Sequence, residues 1–220
     1  MREQQLLGVV GGTFDPIHNG HLRMALEVAN RLGLDEVRFI PSARPPHRGE
    51  PDATDRQRLE MVALAIEGEP RFILDDREYR REGESYMVDT LESLRQELGS
   101  EASLLLIIGS DAFLGLTGWH RWQQLLALAH IVVVLRPGSE LMFEKGAKPR
   151  DLELQKLYDM HHSTDLNDLK RSCGVIHSLE TTALEISATE IRQMIAAGES
   201  PQFLLPETVL NYIDERNLYR

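Results

Sequence analysis

Two periods of apolar positions alternate along this chain. Leu6 to Val10 is a short apolar run closed by glycines, as a strand buried on both faces would be. Leu22, Ala25, Leu26, Ala29 and Leu32 then recur at helical spacing until Gly33 stops them. The alternation repeats. Val37 to Ile40 predicts a second strand, followed by a polar loop from Pro41 to Ala53. A helix starts at Thr54, with Gln57 three residues on to complete a capping box, and carries Leu59, Val62, Ala63 and Ile66 on one face. Phe72 to Leu74 is a third strand, and Val88, Leu91, Leu94 and Leu98 mark the next helix. Leu104 to Ile108 and Ile131 to Leu135 are strongly apolar strands, with a short helix marked by Trp122, Leu125, Leu126 and Ala129 between them. Val175 to Leu179 returns to the sheet, Ser187 to Ala197 is a helix closed by Gly198, and a last helix starts at Pro206. Strands alternating with helices predict an α/β fold, a doubly wound parallel sheet with flanking helices and a small helical C-terminal part at about 187–220. From about 138 to 172 the periodicity weakens, and this stretch reads as a variable insertion in a single domain spanning 1–220.

Composition narrows the functions. At 220 residues the chain can bury a real core without disulfides or a structural metal. Its single cysteine, Cys173, cannot form an intrachain disulfide, no Cys/His cluster has zinc spacing, and no metal ligands are predicted. That usage fits a reducing cytoplasm. No basic leader with a long apolar run opens the sequence, and no stretch of about 18 apolar residues predicts a membrane span. The net charge of −11 disfavours a nucleic-acid or anionic-lipid partner. It also sets a problem for any phosphorylated substrate, which the overall field repels. Lys145, Lys148, Lys156 and Lys170 all lie far from a glycine-rich turn in sequence, so arginine and histidine must supply the local positive groups.

Two segments carry candidate chemistry. The first, GGTFDPIHNGH from Gly11 to His21, follows the first strand and opens the first helix. Such a turn brings backbone N–H groups near a ligand's phosphates. It has neither the GxxxxGK[ST] of a P-loop nor the GxGxxG of dinucleotide folds. Instead His18 and His21 stand nearly one helical turn apart, so both rings can point to the same end, where the helix terminus adds partial positive charge. Imidazoles placed there can donate to phosphate oxygens and stabilise charge that builds during phosphoryl or nucleotidyl transfer. A lone histidine in such a place more often caps a helix or satisfies core polar groups; a pair flanking Asn19-Gly20 points to a ligand. The second segment is ISATEIR, Ile186 to Arg192. Ser187 and Glu190 predict a capping box, which by itself accounts for S-x-x-E. Thr189 adds a hydroxyl and Arg192 a long cation at a helix mouth with no acidic wall except Glu190, so a triphosphate tail is the competing reading.

Together the two segments resemble the (H/T)xGH and ISSTxIR signatures of the nucleotidyltransferase superfamily, and most closely the bacterial nicotinate-nucleotide adenylyltransferases. The resemblance runs nearly the whole chain through PPHR (Pro45–Arg48), Ser85-Tyr86, IIGSDAF (Ile107–Phe113), Trp119-His120, Arg136-Pro137 and the tail Leu218-Tyr219-Arg220. It implies a Rossmann-like sheet and a reaction of ATP with nicotinate mononucleotide, giving nicotinate adenine dinucleotide and pyrophosphate, with Mg²⁺ riding on the ATP phosphates. It implies that His18 and His21 contact ATP phosphates and the transition state, and that Gly11, Gly12, Thr13 and Phe14 line the nucleotide site. Gly109 and Asp111 would hold the adenosine ribose, and Ser187, Thr189 and Arg192 the β,γ-phosphates. Trp119 would stack on the pyridine ring, backbone near Tyr86, Met87 and His120 would meet the nicotinate carboxylate, and His47 and Arg48 would form a flap over the substrates. Bland readings stand beside these: Trp119 as a half-buried aromatic, Asp111 as a helix cap, Arg48 as a solvated loop charge. Met87 departs from the family pattern, where threonine is common. Other acceptors within the superfamily, or a nucleotide-binding module without turnover, are the alternatives; assembly into a homo-oligomer is left open by the sequence.

Overall fold

The apolar runs form the strands they predict. In the computed structural model, which describes residues 5–45, 50–138, 141, 149–182 and 184–220, six strands make one sheet. They are β1 (Leu6–Gly12), β2 (Glu36–Pro41), β3 (Phe72–Leu74), β4 (Ser103–Gly109), β5 (His130–Leu135) and β6 (Ile176–Glu180). Every pairing is parallel and the order is β3-β2-β1-β4-β5-β6. The helices are α1 (Asn19–Leu32), α2 (Asp55–Ile66), α3 (Met87–Leu98), α4 (Ser110–Leu114), α5 (Leu125–Leu128), α6 (Pro149–His161), α7 (Ala188–Ala196) and α8 (Glu207–Glu215).

Side chains of β1 and β4 alternate between two buried layers. Val10, Leu105 and Ile107 join the core under α1, α2, α7 and α8. Leu7, Val9, Leu104, Leu106 and Ile108 join the core under α3, α5 and α6. Two covered faces are what a parallel sheet requires, and they explain why these strands read as continuous apolar runs.

Three local expectations need correction. The predicted helix around Trp122 is split: a 3-10 turn (Trp122–Gln124) runs into α5, after Arg121 takes a left-handed φ of 51°. The stretch read as an irregular insertion contains α6 and a 3-10 helix, Leu166–Lys170. Leu154 of α6 is buried while Leu152 is 49% exposed, so this helix shows little apolar periodicity. Pro206 is the cap residue of α8 rather than part of its first turn.

The order of strands places the site. Sequence order reverses between β1 and β4, and in open α/β sheets ligands bind at that switch, outside the carboxyl ends of the strands. Pairing of β1 with β2 continues to Gly12–Pro41, whereas pairing with β4 stops at Val9–Leu106. The two central strands therefore part at Gly11-Gly12, and a crevice opens there. No helix among the described residues is long and apolar enough to cross a membrane.

Candidate active site

Two cavities meet in this crevice. One, of about 570 Å³, is lined by Gly11, Gly12, Thr13 and His21 together with Tyr86, Met87, Gly109, Asp111, Trp119 and His120. The other, of about 710 Å³, shares Gly11, Gly12, Thr13 and His21 and adds Phe14, His18, Ser187, Thr189 and Arg192. Every predicted site residue among those described lines one cavity or both, and His21 stands at the junction. His47 and Arg48 lie outside the described residues. A larger cavity of about 890 Å³, beside Arg38 and Arg77, offers no comparable chemistry. Of its four arginines, Arg38 and Arg77 are paired with Asp75 and Glu97, and Arg80 with Asp76.

The histidine pair is built by the turn after β1. Phe14 adopts a left-handed φ of 51° and is buried, and its ring meets the edge of His21 at 5.1 Å between centroids. The His18 and His21 rings stack at 3.7 Å, 25° from parallel. His21 Nδ1 accepts the backbone N–H of His18 at 3.3 Å, so the neutral ring carries its proton on Nε2 and can donate there. His18 is the residue before α1 and shares a capping box with His21, which accepts the His18 N–H. The box leaves the buried His18 Nδ1 without a full hydrogen bond among the described residues, so capping accounts for only part of the pair. Gly20 is required beside it: a Cβ at that position would come within 3.0 Å of the His18 ring.

Burial lowers the His18 pKa from 6.5 to about 4. The ring is thus a neutral donor at pH 7 in the free protein, and the expectation that histidine supplies charge is corrected: it supplies N–H. Between pH 6.5 and 4 the unfolded chain binds a proton that folded His18 refuses, so stability falls as pH drops through this window and is untouched above it. At about 1.36 kcal/mol per unit, the full loss approaches about 3 kcal/mol. Burial lowers the pKa of His130 and His162 too, which adds in the same direction. Urea denaturation from pH 7 to 4 is expected to show a shallower loss for His18→Gln than for the parent; parallel curves would contradict the assignment.

The second helix mouth differs from its prediction. Ser187 precedes α7 but makes no side-chain cap, so the expected Ser187–Glu190 capping box is not formed. Ser187 lines the 710 Å³ cavity, beside Thr189. The acidic wall is also larger than expected, since Glu50 and Asp52 line the same cavity. Arg192 Nε pairs with Asp52 at 2.7 Å, and its Nη1 donates to the Asp15 carbonyl at 2.8 Å.

In the other cavity, Tyr86 precedes α3 and Gly109 precedes α4, again without side-chain caps. Asp111 lies in the first turn of α4 and is exposed, so it does not cap that helix. Tyr86 stacks on His120 at 4.2 Å, and Trp119 is half-buried on the same wall. Arg121 ties this turn to α3 through Asp89, at 3.1 Å, and Glu92. The close approach of Met87 to Gly11, where a Cβ would fall 2.3 Å from the methionine methyl, packs α3 against the end of β1.

Sequence reading missed Arg58. It is fully buried and donates to Thr13 O at 2.9 Å, Ser42 O at 2.6 Å and Ala43 O at 3.2 Å, bolting together the turns that follow β1 and β2. In sequence it is one more arginine on an amphipathic helix. Asp15 was missed as well; its carboxylate accepts the backbone N–H of Asp52 at 2.9 Å and of Ala53 at 3.2 Å.

Comparison with known proteins agrees with this geometry. A model of the cytidylyltransferase-like family matches residues 9–194. The chain is 46% identical over 214 residues to a probable nicotinate-nucleotide adenylyltransferase of Pseudomonas putida (strain W619), covering 97% of this chain and 94% of that one. It is 48% identical over 214 residues to a probable nicotinate-nucleotide adenylyltransferase of Cellvibrio japonicus (strain Ueda107), covering 97% and 98%. Among solved structures, the Plasmodium falciparum nicotinic acid mononucleotide adenylyltransferase complexed with NaAD superposes with a TM-score of 0.73 over 98% of both chains; at 16% identity, that likeness supports the fold.

Proposed function

The chain belongs to the cytidylyltransferase-like family, among its nicotinate-nucleotide adenylyltransferases, and from that premise we propose that it transfers AMP from ATP to nicotinate mononucleotide. The products are nicotinate adenine dinucleotide and pyrophosphate. The observation that carries the reading is the convergence of four helix N-termini, those of α1, α3, α4 and α7, on two joined cavities, with no side-chain cap on α3, α4 or α7. Uncapped first-turn N–H groups with the positive end of the helix dipole attract anions. Both substrates and both products are anions.

The 710 Å³ cavity suits the triphosphate tail, with Ser187, Thr189 and Arg192 as donors, and the 570 Å³ cavity suits the mononucleotide and the adenosine ribose near Gly109 and Asp111. His21 stands at their junction with His18 stacked on it, where the α-phosphate would lie. The mononucleotide phosphate oxygen forms the new bond to the α-phosphorus as the bond to the β-phosphate oxygen breaks in line opposite it. The attacking oxygen is already anionic, so no general base is needed, and catalysis consists of positioning and charge stabilisation. His18 and His21 donate N–H to the non-bridging oxygens, while Arg192 receives the charge that develops on pyrophosphate.

Among the described residues no three metal-ligating side chains cluster, and Asp15 and Asp52 are already engaged. Mg²⁺ carried by the ATP phosphates would neutralise part of the tail's charge.

The half-buried Trp119 faces the cavity beside Tyr86 and is placed to stack on the pyridine ring. Base-on-aromatic stacking is worth about 1–3 kcal/mol. Trp119→Ala is expected to raise KM for the mononucleotide about tenfold or more with KM for ATP unchanged; an unaltered mononucleotide KM would make Trp119 a core residue. The pyridine carboxylate fits the uncapped first turn of α3 at Met87, where a neutral amide gains less. Comparing kcat/KM for nicotinate and nicotinamide mononucleotides tests this; equal values would contradict an anion-selective pocket.

A further inference from the structure

The tail Leu218-Tyr219-Arg220 reaches the glycine-rich turn of the site. After α8 the chain curls back, with Leu218 N–H donating to Ile213 O at 3.0 Å. Tyr219 then adopts a left-handed φ of 64°, a conformation costly for an aromatic residue and kept only where surroundings hold it. What holds it is Asp15 of the glycine-rich turn: the phenol donates to Asp15 Oδ1 at 2.6 Å. Burial and the carboxylate both push the phenol's ionisation upward, so it stays a donor.

Asp15 is a junction. Its buried carboxylate is held by Tyr219 and by the N–H groups of Asp52 and Ala53, while its backbone carbonyl accepts from Arg192. All three donors to the carboxylate are neutral. A buried carboxylate needs such donors, or it takes a cation. The nearest cation is Arg192, already on the carbonyl of the same residue and paired with Asp52. Without the phenol, Asp15 Oδ1 keeps only the N–H of Ala53 at 3.2 Å.

We propose that Tyr219 is a positioning residue for the phosphate half-site: by satisfying the Asp15 carboxylate with a neutral donor, it leaves the Arg192 guanidinium available to the triphosphate. Asp52 is the group that the incoming tail displaces from Arg192. The inference rests on the ATP reading above and adds to it a C-terminal residue that touches neither substrate.

The test is calorimetric binding of a non-hydrolysable ATP analogue. Tyr219→Phe is expected to weaken analogue binding roughly ten- to a hundredfold, the worth of one hydrogen bond at a charged group, with mononucleotide KM unchanged. A merely structural tyrosine would lower the melting temperature and leave the analogue Kd and the ratio of the two KM values where they were; that result overturns the proposal. If the variant does not fold, hydrogen exchange on the parent protein decides. Analogue binding should then slow exchange at residues 52–53 and 217–220, and an unprotected tail overturns it. Parent protein that binds the analogue but makes no pyrophosphate would refute the adenylyl-transfer reading while leaving this inference standing.

Discussion

Replacing His18 with alanine is expected to lower kcat by about 10²–10³, the usual cost of one preorganised donor at a transition state. The physical basis is its environment. His18 is 6% exposed, stacked on His21 and confined by Gly20, and burial keeps it neutral. A neutral ring still donates one N–H, and it does so without the solvation cost of a buried imidazolium. The loss should fall on kcat more than on either KM, because the interaction strengthens as charge moves onto the α-phosphate oxygens. Circular dichroism should stay close to that of the parent, since the His21 half of the α1 capping box, its Nδ1 on the His18 N–H, uses only the backbone of residue 18. Steady-state kinetics with both substrates varied checks this; turnover near that of the parent would remove His18 from the mechanism.

Arg192→Ala is expected to lower kcat/KM for ATP by about 10² or more, since charge-assisted bonds to an ionised partner are worth about 1.5–3 kcal/mol each and a guanidinium makes two. The deletion acts twice. It removes the cation proposed for the tail, and it leaves Asp52 and Glu50 facing a polyanion uncompensated. Arg192→Lys should recover only part of the loss, because an ammonium cannot hold the Asp15 carbonyl and a phosphate in one planar fork. Initial rates at varied ATP measure both; a lysine variant equal to the parent would show that charge alone matters.

Much of this site was legible before the fold. The strand–Gly-Gly–turn–helix pattern placed His18 and His21 at a helix mouth, because local periodicity alone fixes where β1 ends and α1 begins. ISATEIR placed a second mouth, but not its cap: Ser187 and Glu190 have the spacing and Ser187 the extended backbone of a capping box, yet no side-chain cap forms, and spacing does not encode the side-chain rotamer. Arg58 was invisible for another reason. Its burial depends on carbonyls of Thr13, Ser42 and Ala43, up to 45 residues away, and no window on the sequence brings them together. The Asp52–Arg192 pair and the Tyr219–Asp15 bond are likewise products of topology. Helix α6 escaped because it buries little: one apolar turn on an exposed helix leaves no stripe to detect.

The central claim is that the two cavities form one adenylyl-transfer site with a pyridine mononucleotide acceptor. The most direct measurement is pyrophosphate release from ATP by the purified protein, alone and with nicotinate mononucleotide, nicotinamide mononucleotide or phosphopantetheine. The account predicts release that depends on nicotinate mononucleotide, matched mole for mole by nicotinate adenine dinucleotide. Tight ATP binding with no pyrophosphate from any acceptor, or faster release with phosphopantetheine, would contradict it.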